Sequence, residues 1–188
     1  MGVDIHWVFQ AYKNNQWVDI PSQYDGTRDY YLYSWLRTGG RQAITKPRGF
    51  PSDFLLDADG CRHPYKDYAP DDRNLYKFMG EWGYSWLSGI EILSTPIPVE
   101  NMKIWVPIDV YNEWDKCSNP KHWFELQSNW QQHEDSEHYA TPENITDDTW
   151  WVIIDWAYDF TEDFEYFVGE VRRLLSIHGN IRFVFGFG

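Results

Sequence analysis

From Val3 to Ala11 the chain alternates apolar and polar positions, with Val3, Ile5, Trp7 and Phe9 on one face and Asp4, His6 and Gln10 on the other. A period of two marks a strand with one buried face. Lys13-Asn14-Asn15 supplies a turn and Gln16 to Ile20 a returning strand, so the pattern predicts an opening hairpin. Asp25-Gly26-Thr27 can start a helix from about Arg28 to Arg37, which sets Tyr31, Leu32, Trp35 and Leu36 on one side. Residues 38 to 74 hold Pro47, Pro51, Pro64 and Pro70 with several Gly and Asp, and read as mostly irregular. A loop of that length in a compact domain is usually functional or mobile.

Ser85 is placed to cap a short helix through Leu93, which Ser94-Thr95-Pro96 ends. Lys103 to Val110 reads as a strand, residues 111 to 148 as a polar, acidic stretch, and Trp150 to Trp156 as either strand or helix. The clearest helix comes last. Phe164, Phe167, Val168, Val171, Leu174 and Leu175 keep helical spacing, Asp159 with Glu162 can form a capping pair, and Gly179 supplies a stop. Ile181 to Phe187 then reads as a buried strand. The expected fold is a single α+β domain over residues 1–188. Its sheet, mixed or antiparallel, contains the N-terminal hairpin and the C-terminal strand and is packed by the 161–178 helix.

Composition changes this picture in three ways. Twelve Trp, thirteen Tyr and eleven Phe exceed what one core requires, so some should line pockets or an interface. With 29 Asp+Glu against 16 Lys+Arg, the formal net charge is −13. That balance argues against general nucleic-acid binding, which needs clustered cations, and against an anionic membrane surface as partner. Cys61 and Cys117 are the only cysteines, which implies no disulfide framework and a cytoplasmic, reducing setting. No apolar run reaches membrane-spanning length.

Against that acidity, the stretch between Asp29 and Asp53 carries no carboxylate and holds Arg37, Arg41, Lys46 and Arg48. Its centre, Arg37-Thr38-Gly39-Gly40-Arg41, combines glycine amides with guanidinium forks, the groups that hold phosphate or carboxylate oxygens. Tyr33 and Trp35 adjoin it and can stack a base. The expected ligand-binding set is therefore Arg37, Gly39, Gly40, Arg41, Lys46, Arg48, Tyr33 and Trp35, and the expected ligand an anionic, nucleotide-like small molecule. Asp4 and His6 share a strand face, so they are the candidate catalytic pair, as an oriented general base or as metal ligands. Cys61 with His63 and Cys117 with His122 offer zinc-ligand types at spacings unlike the common knuckles. The metal, any cofactor and whether a reaction is catalysed stay open at this point. Asp135, Glu137, Asp147 and Asp148 form a second candidate surface, an acidic one suited to a host protein.

Five segments resemble, in order, an uncharacterised family of phage and bacterial proteins that begin Met-Gly-Cys-Asp-Ile-His. They are Met1 to His6, Arg28 to Tyr33, Lys46 to Pro51, Trp82 to Leu93, and Ile181 to Phe187. Val3 stands where that family has cysteine, and Gly83-Tyr84-Ser85 lacks the histidines expected beside the tryptophan. The resemblance implies a phage setting inside a bacterial host and carries no mechanism. The expected function is thus an accessory protein that binds a nucleotide-like ligand, as a host-defence antagonist. Two alternatives stand beside it: a metal- or His-dependent hydrolase of such a ligand, and an acidic protein-binding inhibitor or nucleic-acid mimic.

Overall fold

The computed structural model describes residues 4–26, 28–36, 43–58, 61–64, 82–126 and 136–188. In chain order its first elements are β1 (Ile5–Lys13), β2 (Gln16–Ile20), α1 (Tyr30–Leu36), β3 (Leu55–Ala58), β4 (Cys61–Pro64), β5 (Trp82–Ser88) and α2 (Gly89–Ser94). Then come β6 (Val99–Pro107), α3 (Ile108–Glu113), β7 (Phe124–Glu125), β8 (Tyr139–Ala140), β9 (Trp151–Asp159), α4 (Thr161–His178) and β10 (Ile181–Phe187). The fold class is α+β. The residues gather into two compact units, Met1–Ile97 with Thr161–Gly188, and Pro98–Phe160.

In the first unit four strands form one antiparallel sheet in the order β2-β1-β10-β5. The opening hairpin closes through Asn14 and Asn15, both at positive φ (51° and 63°), where asparagine is among the better tolerated side chains. β10 pairs with β1 on one edge and β5 on the other, and all seven of its residues are buried. It is the strand covered on both faces that its apolar run, interrupted only by Arg182, predicts. One face presents Ile5, Phe9, Ala11, Ile181, Phe183 and Phe187, and α4 packs there: the Phe167 ring lies 6.2 Å from Phe9 and 5.0 Å from Phe183. Of the stripe the helical spacing gives, Phe164, Phe167, Val168, Val171 and Leu174 are buried and Leu175 is half-buried, and Glu170 is buried beside them. Gly179, at φ +74°, ends the helix with its amide on the Leu175 carbonyl.

On the opposite face Val8, Val184 and Trp86 align across three strands, and Phe50, Phe54 and Tyr84 pack onto them. One register step along, a polar row crosses the sheet. Asp19 accepts from Gln10 Nε2 (2.7 Å), Gln10 Oε1 accepts from Arg182 Nε (2.9 Å), and Arg182 Nη1 donates to Asp53 (2.7 Å). Arg182 is only 3% exposed and lies over the Trp17 ring at 4.2 Å.

The short helix α2 starts later than expected. Ser85 is buried inside β5, and the cap is Ser88, whose hydroxyl accepts from the Glu91 amide while the Glu91 carboxylate accepts from the Ser88 amide. Ser88→Ala removes one arm of this reciprocal pair and is expected to lower stability by about 0.5–2 kcal/mol. Urea unfolding measures it; an unchanged midpoint would mean that Glu91 fixes the turn without the hydroxyl.

The second unit is a four-stranded sheet in the order β7-β6-β9-β8, antiparallel except for the β8–β9 pair. The segment Trp150 to Trp156, open between strand and helix in the sequence, falls in strand β9, Trp151–Asp159, which pairs with β6 along its whole length. The pairing ends at Pro107, and α3 follows where the sequence had suggested further strand. Met102, Ile104, Val106 and Val152 line the buried face; Trp105, Phe124, Tyr139 and Trp151 form a ring cluster on the other.

Candidate functional site

Between β2 and α1 the chain crosses the start of α4, and there the first unit has a cleft of about 200 Å³. Tyr24, Asp25, Gly26, Arg28 and Asp29 come from the loop and Leu32 from α1; Asp163, Tyr166 and Phe167 come from α4. Residues three and four apart on a helix share a face, which is why those three reach the cleft together.

The loop is held from several sides. Glu170, 5% exposed, accepts from the Ser22 hydroxyl (2.9 Å) and the Gln23 amide (2.7 Å), tying the loop's start to α4. The Gly26 carbonyl accepts from Trp7 Nε1 (3.0 Å) and the Tyr33 hydroxyl (3.2 Å). A side chain at position 26 would strike Tyr24, since a Cβ there would sit 2.3 Å from its hydroxyl oxygen. The Tyr166 hydroxyl donates to the Gln23 carbonyl and lies 3.3 Å from Asp25 Oδ1. The Asp29 carboxylate caps α1 by accepting from the Leu32 amide at 2.9 Å.

Three carboxylates, Asp25, Asp29 and Asp163, thus line a cleft whose walls are Tyr24, Tyr166 and Phe167. Tyr24 sits 5.4 Å from Tyr166 and 5.1 Å from Phe167, ring centre to ring centre. Burial pushes the Asp29 carboxyl above its usual range, the Leu32 amide opposes that, and the charge of Asp163 adds to it. Tyr24 is 5% exposed, and its hydroxyl is buried with no hydrogen bond of acceptable geometry. Burial first, then Tyr33, Asp29 and Asp25, raise its phenol far above the ordinary value, so it stays neutral. A buried hydroxyl left unpaired costs about 1–3 kcal/mol, and a donor arriving in the cleft would recover part of that.

The expected site residues fall in different places. Arg37, Gly39, Gly40 and Arg41 lie outside the described residues. Lys46 is exposed. Arg48 is committed: its guanidinium donates to Glu91 (2.6 and 3.2 Å) and lies over the Trp86 ring at 5.0 Å. Arg48 and then the Ser88 contacts hold the Glu91 carboxyl down at about 2. Tyr33 and Trp35 are core residues, 4% and 1% exposed, with Trp35 stacked on Phe164 at 5.4 Å. Asp4 forms an ion pair with Arg28, which lowers its carboxyl below the ordinary value; His6, on the same strand face, adds a smaller lowering. Asp4 thus contacts one wall residue of the acidic cleft, Arg28, and neither Asp4 nor His6 lines it.

Among the described residues no three His, Cys, Asp or Glu side chains are grouped to hold a metal ion. Cys117 is exposed and free. Asp147 and Asp148 are exposed in the second unit, Glu137 lies 3.5 Å from His138 Nε2, and Asp135 falls outside the described residues. A wider cleft in that unit, about 450 Å³, is lined by Asp109, Glu113, Trp114 and Asn119 among others. Two of its groups are already engaged: Asp115 accepts from the Cys117 and Ser118 amides, and Asn119 Oδ1 from Trp156 and the Asp159 amide. No described helix is long and apolar enough to cross a membrane. No family model, curated protein or solved structure matches this chain.

Proposed function

We propose that the protein is a binding protein that takes a cationic head group, the lysine ammonium or arginine guanidinium of a basic protein partner, into the cleft of Asp25, Asp29 and Asp163. One observation carries this reading: three carboxylates from two elements converge on aromatic walls around a buried, unpaired Tyr24 hydroxyl. Aromatic faces attract cations, and carboxylates in a partly desolvated cleft gain from a counter-charge. The size fits as well. Pockets for whole small molecules run to about 300–1,000 Å³, so a cleft of about 200 Å³ suits a side-chain head group better than a nucleotide. The overall charge of −13 favours encounter with a basic partner.

A nucleotide-like anion at the basic stretch is the second reading, and the exposure of Lys46 favours it. Arg48 counts against it, because Glu91 already neutralises that fork.

Calorimetric titration with agmatine, n-butylamine, AMP and inorganic phosphate separates the two. Agmatine or n-butylamine is expected to bind saturably, and Asp163→Asn to weaken that binding on the order of tenfold or more, the worth of a charge-assisted contact. Saturable AMP binding with no response to either amine would reverse the ranking. Affinity for agmatine is also expected to rise with pH through the raised Asp29 range and then level off, since the cation favours the ionised form. Asp25, Asp163, Tyr24, Tyr166 and Arg28 are the other titratable groups around that carboxylate.

A further inference from the structure

The cleft of about 450 Å³ in the second unit falls in the range of pockets that hold whole small molecules, about 300–1,000 Å³. Its charged lining is of both signs. Asp109 and Glu113 stand one turn apart on α3 and share a helix face, while Lys121 and His122 come from the loop that follows. Among the described residues none of these four side chains makes a hydrogen bond or an ion pair, with one another or with any other group. We propose that this cleft binds a small zwitterion, with an ammonium and an oxyanion (carboxylate or phosphate) on one short skeleton. The site is independent of the acidic cleft in the first unit.

The loop that shapes the cleft is satisfied from within. Asp115 Oδ1 accepts from the Cys117 amide (2.8 Å) and from the Ser118 amide and hydroxyl (both 3.2 Å). Lys116, at φ +59°, donates from Nζ to the Tyr111 and Trp114 carbonyls (3.1 and 3.3 Å) where α3 ends. Trp114 Nε1 donates to the Ser118 carbonyl (2.7 Å). Asn119 fastens the loop to β9: its Oδ1 accepts from Trp156 Nε1 (3.2 Å) and the Asp159 amide (3.1 Å), and its Nδ2 donates to the Asp159 carbonyl. A wall anchored this way is formed before the ligand arrives, so binding loses little to ordering it. What the loop leaves unspent is the four charges. A lone cation drawn to Asp109 and Glu113 meets Lys121, and a lone anion drawn to Lys121 meets the two acids. An uncharged polyol leaves all of them unpaired. A ligand that carries both charges alone avoids a like-charge penalty while using both sides. Trp114, half-buried against Trp156 at 4.5 Å, supplies an apolar wall for the skeleton that joins them.

The Trp114 Nε1–H resonance, followed by NMR, reads this cleft and not the one in the first unit. Titrants are β-alanine, O-phosphoethanolamine, n-butylamine, acetate and inorganic phosphate. At least one of the two zwitterions is expected to shift the resonance saturably, and every single-charge probe to bind several-fold more weakly. The tighter of the two zwitterions identifies the oxyanion. Glu113→Gln and Lys121→Gln, both at exposed positions, are each expected to weaken that binding by about three- to tenfold, between the worth of an exposed ion pair and that of a charge-assisted hydrogen bond. Unchanged urea midpoints for the two variants show that the loss is not one of folding. A resonance that neither zwitterion moves overturns the proposal, as does a single-charge probe that binds as tightly as the zwitterion. An affinity that survives either substitution also overturns it, because the cleft would then read one charge only.

Discussion

Replacing Phe183 with alanine is expected to lower the unfolding free energy by about 3–5 kcal/mol, the range for a fully buried aromatic ring. Phe183 is 1% exposed in the strand that both sheet neighbours depend on. Its ring centre lies 4.8 Å from Phe9, 5.0 Å from Phe167, 5.4 Å from Phe185 and 5.9 Å from Trp7. Truncation therefore opens a void where the β1–β10 pair meets α4, and none of these rings can follow the missing atoms without leaving its other contacts. Urea unfolding monitored by circular dichroism gives the loss. A value below about 0.5 kcal/mol, typical of surface positions, would place this ring outside the core.

Local patterns gave the parts of this core that depend on neighbours in sequence. The hairpin of β1 and β2, the apolar stripe of α4, its stop at Gly179 and the buried run of β10 all follow from periodicity and turn residues, and all stand where expected. Boundaries were less legible. Ser88-Gly89-Ile90-Glu91 carries the spacing of a capping box, but Ser85 precedes the same apolar run and competes as a start. The choice depends on Ser85 and Leu87 being buried in β5, which only the pairing with β10 decides. Likewise Asp29, not the Asp25-Gly26-Thr27 segment, caps α1. The β3–β4 hairpin was missed in the proline-bearing stretch, although the sequence between its strands reads Asp59-Gly60, a pair that favours hairpin turns.

The cleft was less legible still. Asp25 belongs to the expected helix start, Asp29 falls inside the expected helix, and Asp163 and Tyr166 lie off the apolar stripe of α4. Nothing local joins them across more than a hundred residues, because α4 must first lie on the β1–β10 face to bring its first turns beside the 24–29 loop. The polar row was hidden for the same reason: Gln10 and Arg182 meet through the β1–β10 register alone. The aromatic surplus was visible, but its division was not. Tyr24 and Tyr166 reach the cleft while Tyr33 and Trp35, two positions apart on a helix that adjoins it, fill the core.

Glu170→Ala is expected to cost about 3 kcal/mol, near the lower end for removing one partner of a buried ion pair, because Arg173 is 37% exposed and can turn to water. The carboxylate itself cannot be replaced by solvent. It accepts two bonds from Arg173 (2.7 and 2.8 Å), one from the Ser22 hydroxyl and one from the Gln23 amide, and losing it removes all four at once from the join between loop and helix. Arg173, then the Gln23 amide and Ser22, hold its carboxyl at about 2, below the ordinary 4.5. A depressed carboxylate contributes stability above its unfolded pKa and loses it as pH falls through the folded one, so this contribution should fade between about pH 4.5 and 2. Glu91, held at about 2 by Arg48, fades in the same window, and Glu170→Gln isolates the share of Glu170. Urea midpoints from neutral pH down to about 2 should fall less steeply for Glu170→Gln than for wild type; equal slopes would show that this carboxylate does not fasten the loop. The loop it fastens runs straight into Tyr24 and Asp25. Agmatine binding by Glu170→Gln, measured at neutral pH where the variant is still folded, should therefore weaken although the substituted side chain is not a wall of the cleft.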